Sequence, residues 1–186
     1  MNYADIKYCD VANGEGVRVS LFVSGCTHHC KECFNKEAWD FHYGNPFTQK
    51  EIDRILEYLK PNYIAGLSLL GGEPMEPVNQ EGILPLLRVV KQTYPEKNIW
   101  CYTGYLFDKD VLDKMCKESE VTKEIVSYLD IVVDGEFMID RKNLKINFRG
   151  SDNQRIIDVK KTLDAGEIVH WEREIPVSYT HLTLPT

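Results

Sequence analysis

Strand-like and helix-like segments alternate along most of this chain, and glycine turns follow the strands. Residues 17–23 alternate and are rich in β-branched side chains, which predicts a strand. Residues 48–60 predict a helix: Thr48 and Glu51 have capping-box spacing, Ile52, Ile55, Leu56 and Leu59 form one apolar face, and Pro61 ends it. The apolar run 67–70 ends in Gly71-Gly72, as a buried parallel strand would. A helix over 83–94, a strand over 98–102, helical stretches over 108–116 and 122–128, and a strand over 131–133 continue the rhythm. Further strands are expected near 156–159 and 168–170, with a short helix between them. Such alternation argues for right-handed βαβ units and a parallel sheet. The turns at Gly25, Gly71-Gly72, Gly104 and Gly135 would then share the C-terminal edge of the sheet, where such folds place their sites.

At 186 residues the chain is expected to form one domain. A net charge of -7 argues against tracking nucleic-acid phosphates. No apolar run approaches a membrane span, and residues 1–10 lack a signal pattern, so the cytoplasm is the expected compartment. The last ten residues, VSYTHLTLPT, carry no charge and resemble a translated sequencing-library adapter. The expected division is therefore a domain over 1–176 and a non-native tail over 177–186, with a genuine docking tail as the alternative.

Cys26, Cys30 and Cys33 follow the first strand in a C-x3-C-x2-C pattern, while Cys9, Cys101 and Cys116 are scattered singly. In a leaderless chain, clustered cysteines point to metal rather than disulfides. Three thiolates without a fourth suit a [4Fe-4S] cluster whose fourth iron takes an exogenous chelating ligand. Structural zinc, completed by His28, His29 or Cys9, is the other reading of the spacing. The scattered cysteines read as core or neutral surface residues. Gly71-Gly72-Glu73-Pro74 would let backbone approach a ligand, although the same string also reads as a strand-ending turn.

The cysteine loop together with Gly71-Gly72-Glu73-Pro74 resembles the radical S-adenosylmethionine (SAM) superfamily. Further segments narrow the resemblance to the activases of anaerobic (class III) ribonucleoside-triphosphate reductase. They are Asn13-Gly14-Glu15-Gly16, residues 21–26, residues 33–36 with Trp39, Tyr102-Thr103-Gly104, Val133-Asp134-Gly135, and 148–158. The resemblance implies an incomplete parallel β/α barrel of radical SAM type, the chain being short of the roughly 250 residues of a full barrel. It implies a [4Fe-4S] cluster on Cys26, Cys30 and Cys33, with SAM chelating the open iron. One electron would cleave SAM, giving methionine and a 5′-deoxyadenosyl radical that abstracts hydrogen from a glycine of the reductase large subunit. Gly71, Gly72, Glu73 and Pro74 would hold the methionine end of SAM. Tyr102, Thr103, Gly104 and Asp134 would line the adenosine side, and Glu32, Cys33 and Phe34 would adjoin the cofactor. Flavodoxin is the implied electron donor.

Two residues depart from the resemblance: Glu32 stands where these activases more often have glycine, and Glu15 where they more often have proline. With a cluster in place, His28 and His29 are expected on the loop surface. Trp39, Phe41 and Tyr43 are expected to pack under the loop, a partner-facing aromatic patch being the alternative. Activation of another glycyl-radical enzyme, such as pyruvate formate-lyase, and a non-catalytic zinc module are the competing functions.

Overall fold

The computed structural model describes residues 1–173, so positions 174–176 of the expected domain and the tail at 177–186 lie outside the described residues. Seven strands form one sheet in the order β3-β1-β2-β4-β5-β6-β7. They are β1 (Asn2–Asp10), β2 (Val17–Val23), β3 (Asn45–Pro46), β4 (Ile64–Gly71), β5 (Asn98–Thr103), β6 (Ile131–Asp134) and β7 (Arg155–Asp158). The helices are α1 (Gln49–Leu59), α2 (Pro77–Thr93), α3 (Cys116–Glu118), α4 (Glu120–Tyr128) and α5 (Val159–Ala165). A π-helical segment, Phe107–Met115, precedes α3, and in it the Val111 amide donates to the Leu106 carbonyl.

Strands β2, β4, β5 and β6 pair in parallel, while β1 pairs antiparallel with both β2 and β3, and β7 with β6. The expected parallel sheet is thus the centre of a mixed one. Length explains the first margin and the lack of a crossover helix the second, because a parallel return needs a dozen or more residues, usually an α-helix. Only residues 11–16 separate β1 from β2. Between β6 and β7 the helical structure is one short 3-10 turn, Ile139–Arg141, so the chain folds back antiparallel. The Ile168–His170 strand is reduced to one bridge, between His170 and Ile157.

The two-residue period of the strands separates two faces. Val19, Leu21 and Val23 of β2, Leu67 and Leu69 of β4, and Ile99 and Cys101 of β5 are buried in the main core with Ile52, Ile55 and Leu59 of α1 and Ile83, Leu87 and Val90 of α2. The Thr48–Glu51 capping box forms as expected. A smaller cluster of Trp100, Ile131 and Val133, packed with Tyr102, Phe148, Ile156 and Trp171, occupies the alternate strand positions.

Arg18 also sits at an alternate position and is fully buried. Its guanidinium donates to Ser68 Oγ at 2.7 Å, Asn98 Oδ1 at 2.7 Å and the Leu67 carbonyl at 2.9 Å, tying together β2, β4 and β5. Its charge is solvated by neutral acceptors and by the Trp100 ring, and desolvation pushes its pKa down to about 10. Among the described residues, no helix is long and apolar enough to cross a membrane.

Candidate functional site

The cysteine loop begins where β2 leaves the sheet, and its return segment is stitched to its start. The Gly25 amide donates to the Ala38 carbonyl at 2.7 Å, and the Cys26 amide to the Trp39 carbonyl at 3.2 Å. Within the loop, the Cys33 amide donates to the Cys30 carbonyl, and the Asn35 amide points at Cys33 Sγ at 3.5 Å. His29 and Glu32 both hold left-handed backbone, at φ 50° and 57°. Burial raises the Cys26 thiol to about 11 and also raises that of Cys30.

Glu73 connects this loop to two strand ends. Its carboxylate is 1% exposed and accepts from the Met75 amide at 2.8 Å and the Gly104 amide at 2.8 Å. His28 Nε2 lies 2.9 Å from the same group, and His28 Nδ1 lies 3.0 Å from Glu136. His28 is therefore not on the loop surface as expected. It bridges the turn after β4 to the loop after β6, and Gly104 leaves it room, since an added Cβ there would come within 2.7 Å of the imidazole. The two carboxylates together raise the His28 pKa against the opposing effect of its burial, which is the largest single influence.

Asn79 of α2 supplies the other clamp. Its amide donates to the carbonyls of Ser24 at 3.0 Å and Glu73 at 2.9 Å, which joins the first turn of the cysteine loop to the Gly-Gly-Glu turn. At Gly72 an added Cβ would lie 2.5 Å from the Gly25 carbonyl oxygen and 2.8 Å from that of Ala38. Close packing of backbone on backbone thus already requires this glycine.

These contacts surround a cavity of about 260 Å³, near the lower end of the range for ligand sites, about 300–1,000 Å³. Cys26, Cys30, Cys33, Phe34, Gly71, Gly72, Glu73, Tyr102, Thr103 and Gly104 all line it. Glu32, Pro74 and Asp134 do not. Glu32 is exposed, and Pro74 is buried in the turn. The Asp134 carboxylate is fully buried and takes Arg155 Nε at 2.9 Å and the Phe107 amide at 2.7 Å, leaving its neighbour Gly135 to reach the cavity. Phe137 and Gln154, which the sequence did not point to, also line the cavity, as do His28, read there only as an alternative zinc ligand, and Trp39, expected under the loop. Trp39 stacks on His29 at 4.5 Å, and Phe41 packs against Gly25, so both sit with the loop, while Tyr43 is partly exposed. Cys9, Cys101 and Cys116 lie elsewhere, exposed, buried and half-buried respectively.

The donor set fits an iron–sulfur cluster. Three thiols from one loop face a shared cavity, and a cluster presents a separate iron to each thiolate. Trp39 Nε1 is a buried donor without a partner among the described residues, in a residue of the cavity wall. Together with the Asn35 amide it supplies N–H groups of the kind that tune cluster sulfurs.

Comparison with known proteins agrees with this chemistry. Residues 12–157 match the family described as "4Fe-4S single cluster domain". The chain is 43% identical over 158 residues to the anaerobic ribonucleoside-triphosphate reductase-activating protein of Enterobacteria phage T4, covering 84% of this chain and 93% of that protein. The similarly named protein of Pasteurella multocida (strain Pm70) is 40% identical over 158 residues, 84% of this chain and 96% of its own. That of Escherichia coli (strain K12) is 38% identical over 156 residues, 83% of this chain and 96% of its own.

Proposed function

The chain belongs to the 4Fe-4S single cluster domain family and to the anaerobic ribonucleoside-triphosphate reductase-activating proteins, and from that membership we propose how its residues carry the activity. It is an activating enzyme of oxidoreductase type that acts on the anaerobic reductase. Cys26, Cys30 and Cys33 would hold the cluster, and SAM would bind beside it against the cavity wall, leaving the mouth open. When both are bound, a reduced cluster supplies the one-electron cleavage of SAM that yields methionine and a 5′-deoxyadenosyl radical able to take hydrogen from a reductase glycine.

The protein's own part is positioning and exclusion of water. Gly71, Gly72 and Glu73, backed by Pro74, receive the methionine end, and the Glu73 carboxylate is held in place by the Met75 and Gly104 amides. Tyr102, Thr103 and Gly104 form the adenosine side, and Asp134 acts there through the position of Gly135. Phe34 would flank the cluster, and Glu32 would act only by shaping the turn between Cys30 and Cys33. Within this reading the mixed sheet is an incomplete barrel of radical SAM type, and the electron comes from a low-potential donor such as flavodoxin.

The observation that carries the proposal is the meeting of the three thiols with the Gly-Gly-Glu turn on one cavity. Anaerobically reconstituted protein is expected to bind about four irons per chain and to release 5′-deoxyadenosine from SAM under reduction. With the reductase added, a glycyl radical should appear by electron paramagnetic resonance. Full turnover by a Cys30→Ala variant would refute the ligand assignment.

A further inference from the structure

The loops after Cys33 and after β6 meet beside the cavity and leave apolar side chains in water. Phe34 is 73% exposed, although its ring packs on Phe137 at 5.1 Å. Phe137 in turn rests on Gly150, where an added Cβ would come within 3.0 Å of its ring. Lys142 places its Nζ 4.9 Å from the centre of the Phe34 ring. Met138 follows Phe137 directly and is 45% exposed, and Leu144, two residues beyond Lys142, is 86% exposed. Exposed large apolar residues elsewhere include Val11 in the loop after β1, Tyr63 just before β4 and Val78 in α2.

We infer that Phe34, Phe137, Met138 and Leu144 form the docking rim for an extended, glycine-bearing segment of the partner reductase. The inference rests on the proposed activase function and adds to it the surface that delivers the substrate. Phe34 and Phe137 are at once wall of the cavity and floor of the rim. Whatever covers the rim therefore also closes the mouth. A cavity of about 260 Å³ cannot take a folded surface, but a chain segment can enter where it carries no side chain, and its apolar flanks would cover the rim. Lys142 and Lys145 flank Leu144, so a second copy docking by the same face would bring like charges together. Lys142, held on the Phe34 ring, keeps that ring presented while the site is free.

The test uses reconstituted holoenzyme and the intact reductase large subunit. A Met138→Ser/Leu144→Ser double variant is compared with the native chain and with Val11→Ser, a change at an exposed apolar residue away from the rim. Affinity for the reductase is read by biolayer interferometry, and SAM cleavage is read separately without reductase. The double variant is expected to bind the reductase about tenfold more weakly or worse, to cleave SAM alone at the native rate, and to need correspondingly more reductase to reach a given radical yield. Unchanged affinity in the double variant, or equal weakening by Val11→Ser, would overturn the docking rim. Rim-dependent binding by a native chain that cleaves no SAM would support the rim and overturn the activase chemistry instead.

Discussion

Glu32 holds its backbone at φ 57°, in the left-handed region where an L side chain crowds the following carbonyl. Glycine would adopt this conformation without that crowding. The Glu32 side chain itself is exposed and off the cavity wall. Glu32→Gly should stabilise the protein by about 0.5–1 kcal/mol once the greater freedom of glycine in the unfolded chain is subtracted, whereas Glu32→Val should destabilise it. Urea melts of the apo-protein check both signs. A second prediction concerns Asp108, which meets Arg155 Nη2 at 2.9 Å. The hydrogen bond from Arg155 holds the Asp108 carboxyl below its ordinary value. The pair therefore stabilises the fold above the unfolded carboxyl's pKa of about 3.9, and that contribution disappears as pH falls through the lower folded value. Asp108→Asn should lose about 0.5–1 kcal/mol at pH 7, the modest value of a partly exposed pair. Little or no difference should remain near pH 2. Urea midpoints at the two pH values read the effect, and an equal loss at both would refute it.

Among the elements, α2 shows where sequence legibility stopped. Periodicity places its start near residue 83, yet the helix begins at Pro77. The missing turns contain Asn79 and Gln80, polar residues that a hydrophobic pattern assigns to the surface but that are 0% and 4% exposed. Their amides serve backbone carbonyls and the Thr122 hydroxyl, contacts with residues remote in sequence or on other elements. Strand β1 escaped for a related reason: only Tyr3 along it is buried, so it carries no apolar alternation. The parallel strands were legible because each is buried and ends in a glycine turn. The cysteine spacing was legible because the ligands are local, whereas His28 and Asn79 act on partners 45 and 55 residues away. Asn79→Leu keeps approximate volume but strips donors from the Ser24 and Glu73 carbonyls, which should cost about 2–3 kcal/mol. It should also loosen the cysteine loop, so iron content after gel filtration should fall along with the denaturation midpoint. Native iron retention alongside the stability loss would show that the clamp serves the core alone.

At the scale of the whole molecule, the site and the core are built from different contacts. The main core joins strands to α1, α2 and α4 through residues such as Val19, Leu67, Ile99 and Ile125, and Cys30 and Cys33 have no part in it. Small metal domains unfold without their metal because the ligand bonds are most of what holds them. This chain has a core of its own, so iron removal should loosen the site without unfolding the sheet. A cluster that binds only the folded loop still adds stability by mass action. The holo-protein should therefore melt at a higher temperature than the apo-protein, and the gain in amide protection should be uneven. Hydrogen exchange should slow on cluster binding at 24–39 and at 71–75, where the thiols and the Glu73 turn lie. Amides of β2, β4 and β5 below the site should exchange at nearly the same slow rate in both forms. Their collapse to fast exchange on iron removal would mean instead that the cluster nucleates the whole fold, and that the core contacts alone fall short of the entropy of ordering the chain.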